Sequence, residues 1–176
     1  MSDGGAALER ERRAQLSPGA ARYPDFFIVG APRTGTTFLY EHLRLHPQIF
    51  MPDLKEPQFF ATDLDSGSFL ESITFVRERE RYLDLFRDAG ADQLTGEGST
   101  WYLYSEVAAA AIKAANPDAR IIMMLRDPVE MLYSLHGRRY YAGSEDIADF
   151  GAALDAEEDR RAGRRRPVRA RNPKAL

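Results

Sequence analysis

The sequence predicts an α/β domain: a parallel sheet of the P-loop type with flanking helices. Three observations carry that expectation. Phe26-Phe27-Ile28-Val29 and Arg120-Ile121-Ile122-Met123-Met124-Leu125 are short, nearly continuous apolar runs, the pattern of strands buried in a parallel sheet. Each is followed by a segment with helical spacing. Between the first run and its helix lies Gly30-Ala31-Pro32-Arg33-Thr34-Gly35-Thr36-Thr37, a tight loop that opens directly into a helix N-terminus.

Taken in order, residues 1–24 read as an N-terminal extension rich in Gly, Ala, Arg and Glu, with a short exposed helix over 8–15. The first strand–loop–helix unit follows, Thr36-Thr37 capping a helix that Pro47 stops. Ile49-Phe50-Met51 forms a short extended piece, and residues 55–61 lie on a loop. From Glu78, Tyr82, Leu83, Leu85 and Phe86 recur on one side of a charged helix, with Gly90 as its C-cap. Leu94-Thr95-Gly96-Glu97 is a short strand, and residues 104–115 an alanine-rich helix ended by Asn116-Pro117. After the strand at 120–125, a helix spans 128–141 with Pro128 in its tolerated first turn. A last helix starts at Asp146, its apolar face Ile147, Phe150, Ala153 and Leu154, and runs out near Gly163.

That gives three strands, few for a parallel sheet, with one edge left open. The expectation is an incomplete, C-terminally truncated domain over 25–163, with 164–176 a basic tail or the start of a missing C-terminal part.

At 176 residues the chain can hold one domain with a core of its own. Its 44% hydrophobic and 11% aromatic content excludes the disordered class. With no cysteine, disulfides, thiolate metal sites and a cysteine nucleophile are excluded, and His42, His46 and His136 are too scattered to suggest a metal site. No apolar run approaches the roughly 20 residues of a membrane span, and no signal-peptide core is visible. The expected location is cytoplasmic. Eight of the 24 basic residues crowd into 160–176, so the rest of the chain carries all 27 acidic residues. That acidic body argues against nucleic-acid binding.

The loop at 30–37 is an anion site by construction, since unpaired backbone N–H groups and the helix dipole converge there. A phosphate or a sulfate suits it. The spacing is near that of the Walker A loop, but Thr36 stands where a kinase has its phosphate-binding lysine, and the cation sits inside the loop as Arg33. A P-loop kinase, which needs that lysine and a magnesium ion, is therefore the weakest alternative.

The loop, His46-Pro47 and Lys55-Glu56-Pro57-Gln58-Phe59-Phe60 together resemble the 5'-phosphosulfate region of sulfotransferases, which use 3'-phosphoadenosine 5'-phosphosulfate (PAPS). Arg126-Asp127-Pro128-Val129 through Tyr133-Ser134 is similar to the 3'-phosphate site of the same family. The resemblance covers residues 25–163 and extends to bacterial members and the heparan-type branch, which are longer chains. It implies transfer of a sulfuryl group from PAPS to a hydroxyl or amine, with no metal required. The acceptor is left open among small molecules, lipids and carbohydrates, and so is the oligomeric state.

The residue roles follow the resemblance. Arg33, Thr34, Gly35, Thr36 and Thr37 hold the phosphosulfate, with Arg33 neutralising charge in the transition state. Arg126 and Ser134 bind the 3'-phosphate, and Glu56 takes the acceptor proton. Lys55 faces the donor or solvent, and His136 packs on its helix. Where the heparan-type pattern has Gly-Glu-Lys this chain has Gly96-Glu97-Gly98, so that branch's second active-site lysine is missing. Ser99, Trp101 and Tyr102 line either an acceptor pocket or the core. A nucleotide-binding module without catalysis is the other reading of the same residues.

Overall fold

The computed structural model describes residues 22–65 and 75–167. The expected helix over 8–15 and the end of the basic tail lie outside the described residues. Four parallel strands form one sheet in the order β2-β3-β1-β4. They are β1 (Phe26–Gly30), β2 (Ile49–Phe50), β3 (Leu94–Gly98) and β4 (Arg120–Met123). The helices are α1 (Thr36–Arg44), α2 (Arg79–Asp84), α3 (Ala108–Ala115), α4 (Pro128–Tyr141), α5 (Phe150–Asp155) and α6 (Glu157–Arg161). None of the described helices is long and apolar enough to cross a membrane.

The apolar run at 26–29 forms the centre of the sheet because it is apolar on both faces. Phe27 and Val29 face one cluster with Phe60, Val76, Tyr82, Phe86, Tyr102 and Ile112. Phe26 and Ile28 face the other, with Tyr40 and Met51. Gly98 is required by this second packing, since a Cβ there would lie 2.8 Å from the Tyr40 ring. In register, Ile28 is opposite Gly98 on one side and Ile122 on the other.

The extended piece at 49–51 contributes a fourth strand, pairing Ile49 with Leu94 and Phe50 with Thr95. The run at 120–125 differs from its expectation. It is strand only to Met123, and it is the outer strand of the described sheet, with Ile121 47%, Met123 59% and Leu125 74% exposed. An apolar run specifies a strand but not what covers it.

Several helix ends also moved. Gly35 in a left-handed conformation (φ 92°), with no side-chain cap, precedes α1, so Thr36 and Thr37 are its first residues and not its cap. α3 begins at Ala108 because the Ser105 hydroxyl accepts the Ala108 N–H (3.0 Å), leaving 101–104 in turns. Gly90 caps nothing: α2 ends at Asp84, and the Gly90 N–H donates to the Gln93 side chain. The last helix begins at Phe150, where Asp149 accepts the Ala152 N–H, and it divides at Ala156 into α5 and α6. α4 starts at Pro128 as expected, and the carboxylate of Asp127 caps it by accepting from Val129 and Glu130 N–H.

Candidate active site

Ligands of open α/β sheets bind beyond the carboxyl ends of the strands, and the predicted site residues gather at that end. The loop after β1 is tied to β4 by the Ala31 N–H donating to Met124 O (2.7 Å) and the Met124 N–H donating to Gly30 O (2.8 Å). The Thr34 hydroxyl donates to Ala31 O (2.7 Å), so it is engaged in shaping the loop. Arg33 takes a left-handed backbone (φ 62°) at the loop's crest. Thr36 is buried, whereas Thr37 is exposed at the helix start.

On the β4 side, Arg33 Nε donates to Ser134 Oγ (3.0 Å), although 101 residues separate them. Arg126 follows β4 and donates through Nη1 to the Arg33 carbonyl (3.4 Å) while pairing with Glu130 one turn on (Nη2 to Oε2 2.9 Å). Arg33, Arg126 and Ser134 therefore line one open cavity of about 710 Å³, with Tyr133, Arg138 and Glu130 on its wall. Arg138, four residues after Ser134 on α4, had no motif to announce it; helical spacing alone places it there.

Glu56 lies on the other side of the loop. Its N–H donates to Gly98 O (2.9 Å) at the end of β3, and its Oε1 accepts from Lys55 Nζ (2.7 Å) and Thr100 Oγ1 (3.3 Å). Lys55 thus turns to Glu56, with its ammonium 6.0 Å from the centre of the Tyr40 ring. Both Glu56 (φ 61°) and Gln58 (φ 53°) are left-handed, a conformation that costs energy in a residue with a side chain and persists only where surroundings hold it. The Phe59-Phe60 pair supplies part of that hold, Phe59 stacking on Tyr82 at 4.1 Å.

Of the residues after β3, Ser99 and Tyr102 are buried, which assigns Tyr102 to the core; Trp101 is half-buried. His136 packs as expected, its Nε2 2.8 Å from Ile147 O and its ring against Tyr140 and Phe150. The residue that sequence reasoning passed over is Glu97, fully buried in β3 beneath the Glu56 loop. The sequence marked it only as a carboxylate within an expected strand, Leu94-Thr95-Gly96-Glu97.

The arrangement can bind an extended anionic ligand across the loop and present a carboxylate beyond it. Comparisons with known proteins agree on its family. The profile described as "Sulfotransferase family" matches residues 24–165. Carbohydrate sulfotransferase 15 of Mus musculus is 32% identical over 164 residues, covering 72% of this chain and 28% of its own length. Heparan sulfate glucosamine 3-O-sulfotransferase 3A1 of Homo sapiens is 32% identical over 114 residues, covering 65% of this chain and 25% of its own length. The crystal structure of a sulfotransferase from Alicyclobacillus acidocaldarius superposes with a TM-score of 0.72 at 30% identity, over 86% of this chain and 64% of that one. The chain thus spans about a quarter of the length of such curated relatives. With a family profile running from before β1 to beyond α6, and a solved sulfotransferase sharing the sheet, this chain belongs to the sulfotransferase family.

Proposed function

We propose that the protein moves a sulfuryl group from PAPS to a hydroxyl or amine, with a carbohydrate as the acceptor class. The observation that carries this reading is the contact of Arg33 with Ser134 beside Arg126, which joins the glycine loop to α4 in one cationic cleft. Two guanidinium groups and a hydroxyl fit the two ends of a bisphosphorylated nucleotide. The carbohydrate class rests on the names of the relatives, a carbohydrate sulfotransferase and a heparan sulfate glucosamine sulfotransferase. Because Gly98 replaces the lysine of the heparan-type pattern, the heparan mode of holding the acceptor is not carried over.

PAPS supplies an activated sulfuryl group and leaves as adenosine 3',5'-bisphosphate. Arg126 and Ser134 hold the 3'-phosphate. Arg33 and the N–H groups at the start of α1 hold the phosphosulfate and offset the charge that grows on the bridging oxygen as its bond to sulfur breaks. Glu56 accepts the proton of the acceptor hydroxyl as the acceptor oxygen bonds to sulfur. Lys55 keeps the Glu56 carboxylate oriented. No step calls for a metal.

Calorimetric titration with adenosine 3',5'-bisphosphate, adenosine 5'-monophosphate and ATP-magnesium, followed by a transfer assay with labelled PAPS over a panel of sugars, tests the proposal. The bisphosphate should bind best, by roughly tenfold to a hundredfold over the monophosphate, the worth of a charge-assisted contact. Equal affinity for the two would overturn the 3'-phosphate site, and a preference for ATP-magnesium would overturn the donor.

A further inference from the structure

Strand β3, whose residues from Thr95 to Gly98 are all buried, carries a carboxylate. Glu97 is fully buried, and its Oε2 accepts hydrogen bonds from the hydroxyls of Tyr82 (2.9 Å) and Tyr102 (2.7 Å). Both tyrosines also hold the Glu56 loop. Tyr102 Oη accepts the Phe60 N–H (3.3 Å), and Tyr82 stacks on Phe59 and meets Phe60 edge-on at 5.5 Å. The loop has two more attachments to the same segment: Gln58 N–H donates to Ser99 Oγ (3.1 Å) and Glu56 N–H to Gly98 O (2.9 Å). Every second residue from 56 to 60 therefore hangs from β3 or its tail. Beneath them, Glu97 Oε1 and both side-chain polar atoms of Gln58 are buried with no hydrogen-bond partner among the described residues. A buried carboxylate with one oxygen unpaired is stable as the neutral acid and costly as the anion.

We propose that Glu97 is a positioning residue for the Glu56 loop, anchoring Tyr102 and Tyr82 beneath it, and that its ionisation loosens the loop because the closed loop seals the second carboxyl oxygen away from water with no donor to it among the described residues. The functional consequence rests on Glu56 being the base of the reaction proposed above. The titratable groups around Glu97 are Tyr82 from α2, Tyr102 after β3, Tyr40 from α1 and Glu56 of the loop, which Lys55 accompanies. Burial pushes all three tyrosines well up, so they remain neutral donors. Burial, aided by the charge of Glu56, raises Glu97 from 4.5 to about 7, against the pull of the Ser99, Tyr102 and Tyr82 hydroxyls. An opened loop lets water reach the carboxyl and returns it toward its ordinary value. Proton linkage then makes opening about tenfold more favourable at pH 8 than at pH 6.

Amide hydrogen exchange by NMR, corrected for the intrinsic pH dependence of exchange, reads this directly. In the wild type, the amides of Glu56, Gln58 and Phe60 should open about tenfold more at pH 8 than at pH 6. In Glu97→Gln, which keeps an acceptor oxygen but cannot ionise, the same amides should show no such rise. An identical rise in wild type and Glu97→Gln would overturn the proposal. Should Glu97→Gln not fold, Tyr102→Phe decides: it should expose the Phe60 amide at both pH values and spare Gln58, and an unchanged Phe60 amide would overturn the tether. With an acceptor in hand, kcat should fall on the alkaline side in the wild type but not in Glu97→Gln. Bisphosphate binding is the separate control, unchanged within about twofold in Glu97→Gln because the donor cleft lies on the β4 side. A wild type that binds no bisphosphate would refute the donor reading, and the exchange data would still decide the role of Glu97 in the loop.

Discussion

At the scale of single residues, two side chains divide the proposed work, and each can be removed without touching the other. Arg33 reaches Ser134 from a left-handed loop position, so its guanidinium is held at the cleft and not free in solvent. Arg33→Ala should weaken adenosine 3',5'-bisphosphate binding by about tenfold to a hundredfold, the loss of a charged hydrogen-bonding partner. Arg33→Lys keeps the charge but not the planar fork, and should recover most of that affinity in calorimetry. Glu56 belongs to the other side of the loop. Glu56→Gln keeps size and the contact with Lys55, so bisphosphate affinity should be nearly unchanged while the transfer rate drops roughly 10²- to 10⁴-fold, the usual worth of a general base. A variant turning over at the wild-type rate would show that the base lies elsewhere.

At the scale of elements, α4 decides the geometry of the cleft, because Ser134 and Arg138 ride on it and Arg126 precedes it. Its start is fixed by Pro128 and by the Asp127 carboxylate on two N–H groups. Asp127→Ala should cost about 1 kcal/mol in urea denaturation and weaken the bisphosphate site by displacing Arg126 and Ser134 together. The far end of α4 is joined to α6 by a buried pair, with Arg160 donating to both oxygens of Glu145 (2.5 and 2.6 Å). Arg160 and the backbone of Ile147 and Asp146 lower the Glu145 pKa to about 2, from 4.5. The pair therefore stabilises fully above pH 4.5 and loses its contribution as pH falls toward 2. Glu145→Gln, which leaves the buried Arg160 only its longer pair with Asp146 (3.5 Å), should cost on the order of 3 kcal/mol. Protease nicking after α4 at neutral pH would report the loosened end.

At the scale of the whole molecule, Glu97 gives the stability curve an opposite slope on the neutral side. The folded protein keeps this proton to about pH 7, whereas the unfolded chain releases it near 4.5. Between those values the folded state binds more protons, so stability falls as pH rises, by on the order of 3 kcal/mol in all. Glu97→Gln should flatten that limb; thermal denaturation from pH 4.5 to 7.5 checks it, and a slope equal to the wild type's would count against the assignment. The sheet also presents Ile121 and Met123 on its outer strand, with Leu125 just past the strand's end and Val129 in α4, all 47–74% exposed. Edge strands with apolar side chains invite pairing. The 176-residue chain should accordingly self-associate with rising concentration in sedimentation, and Met123→Lys should shift it toward monomer.

The sequence by itself determined β1, the glycine loop, a helix after it, a strand beginning at Arg120 and α4 with its proline start, because each is written in contiguous residues. Apolar runs, a tight loop of two glycines and a proline, and a proline in a first turn act over a few bonds, so no partner was needed to read them. It also put forward Arg33, Glu56, Arg126 and Ser134 as site residues, through the motifs in which this chain resembles the sulfotransferase family. Only the tertiary structure decided that Arg33 bonds Ser134 across 101 residues, that Ile49-Phe50 joins the sheet, and that the outer strand stands exposed. Glu97 is the clearest case. Nothing beside it in Leu94-Thr95-Gly96-Glu97-Gly98 tells where its carboxylate points, and its charge state depends on two tyrosines and a loop brought over it from three separate stretches of chain. Burial and hydrogen-bond partners are properties of the folded neighbourhood, and long-range packing alone supplies them.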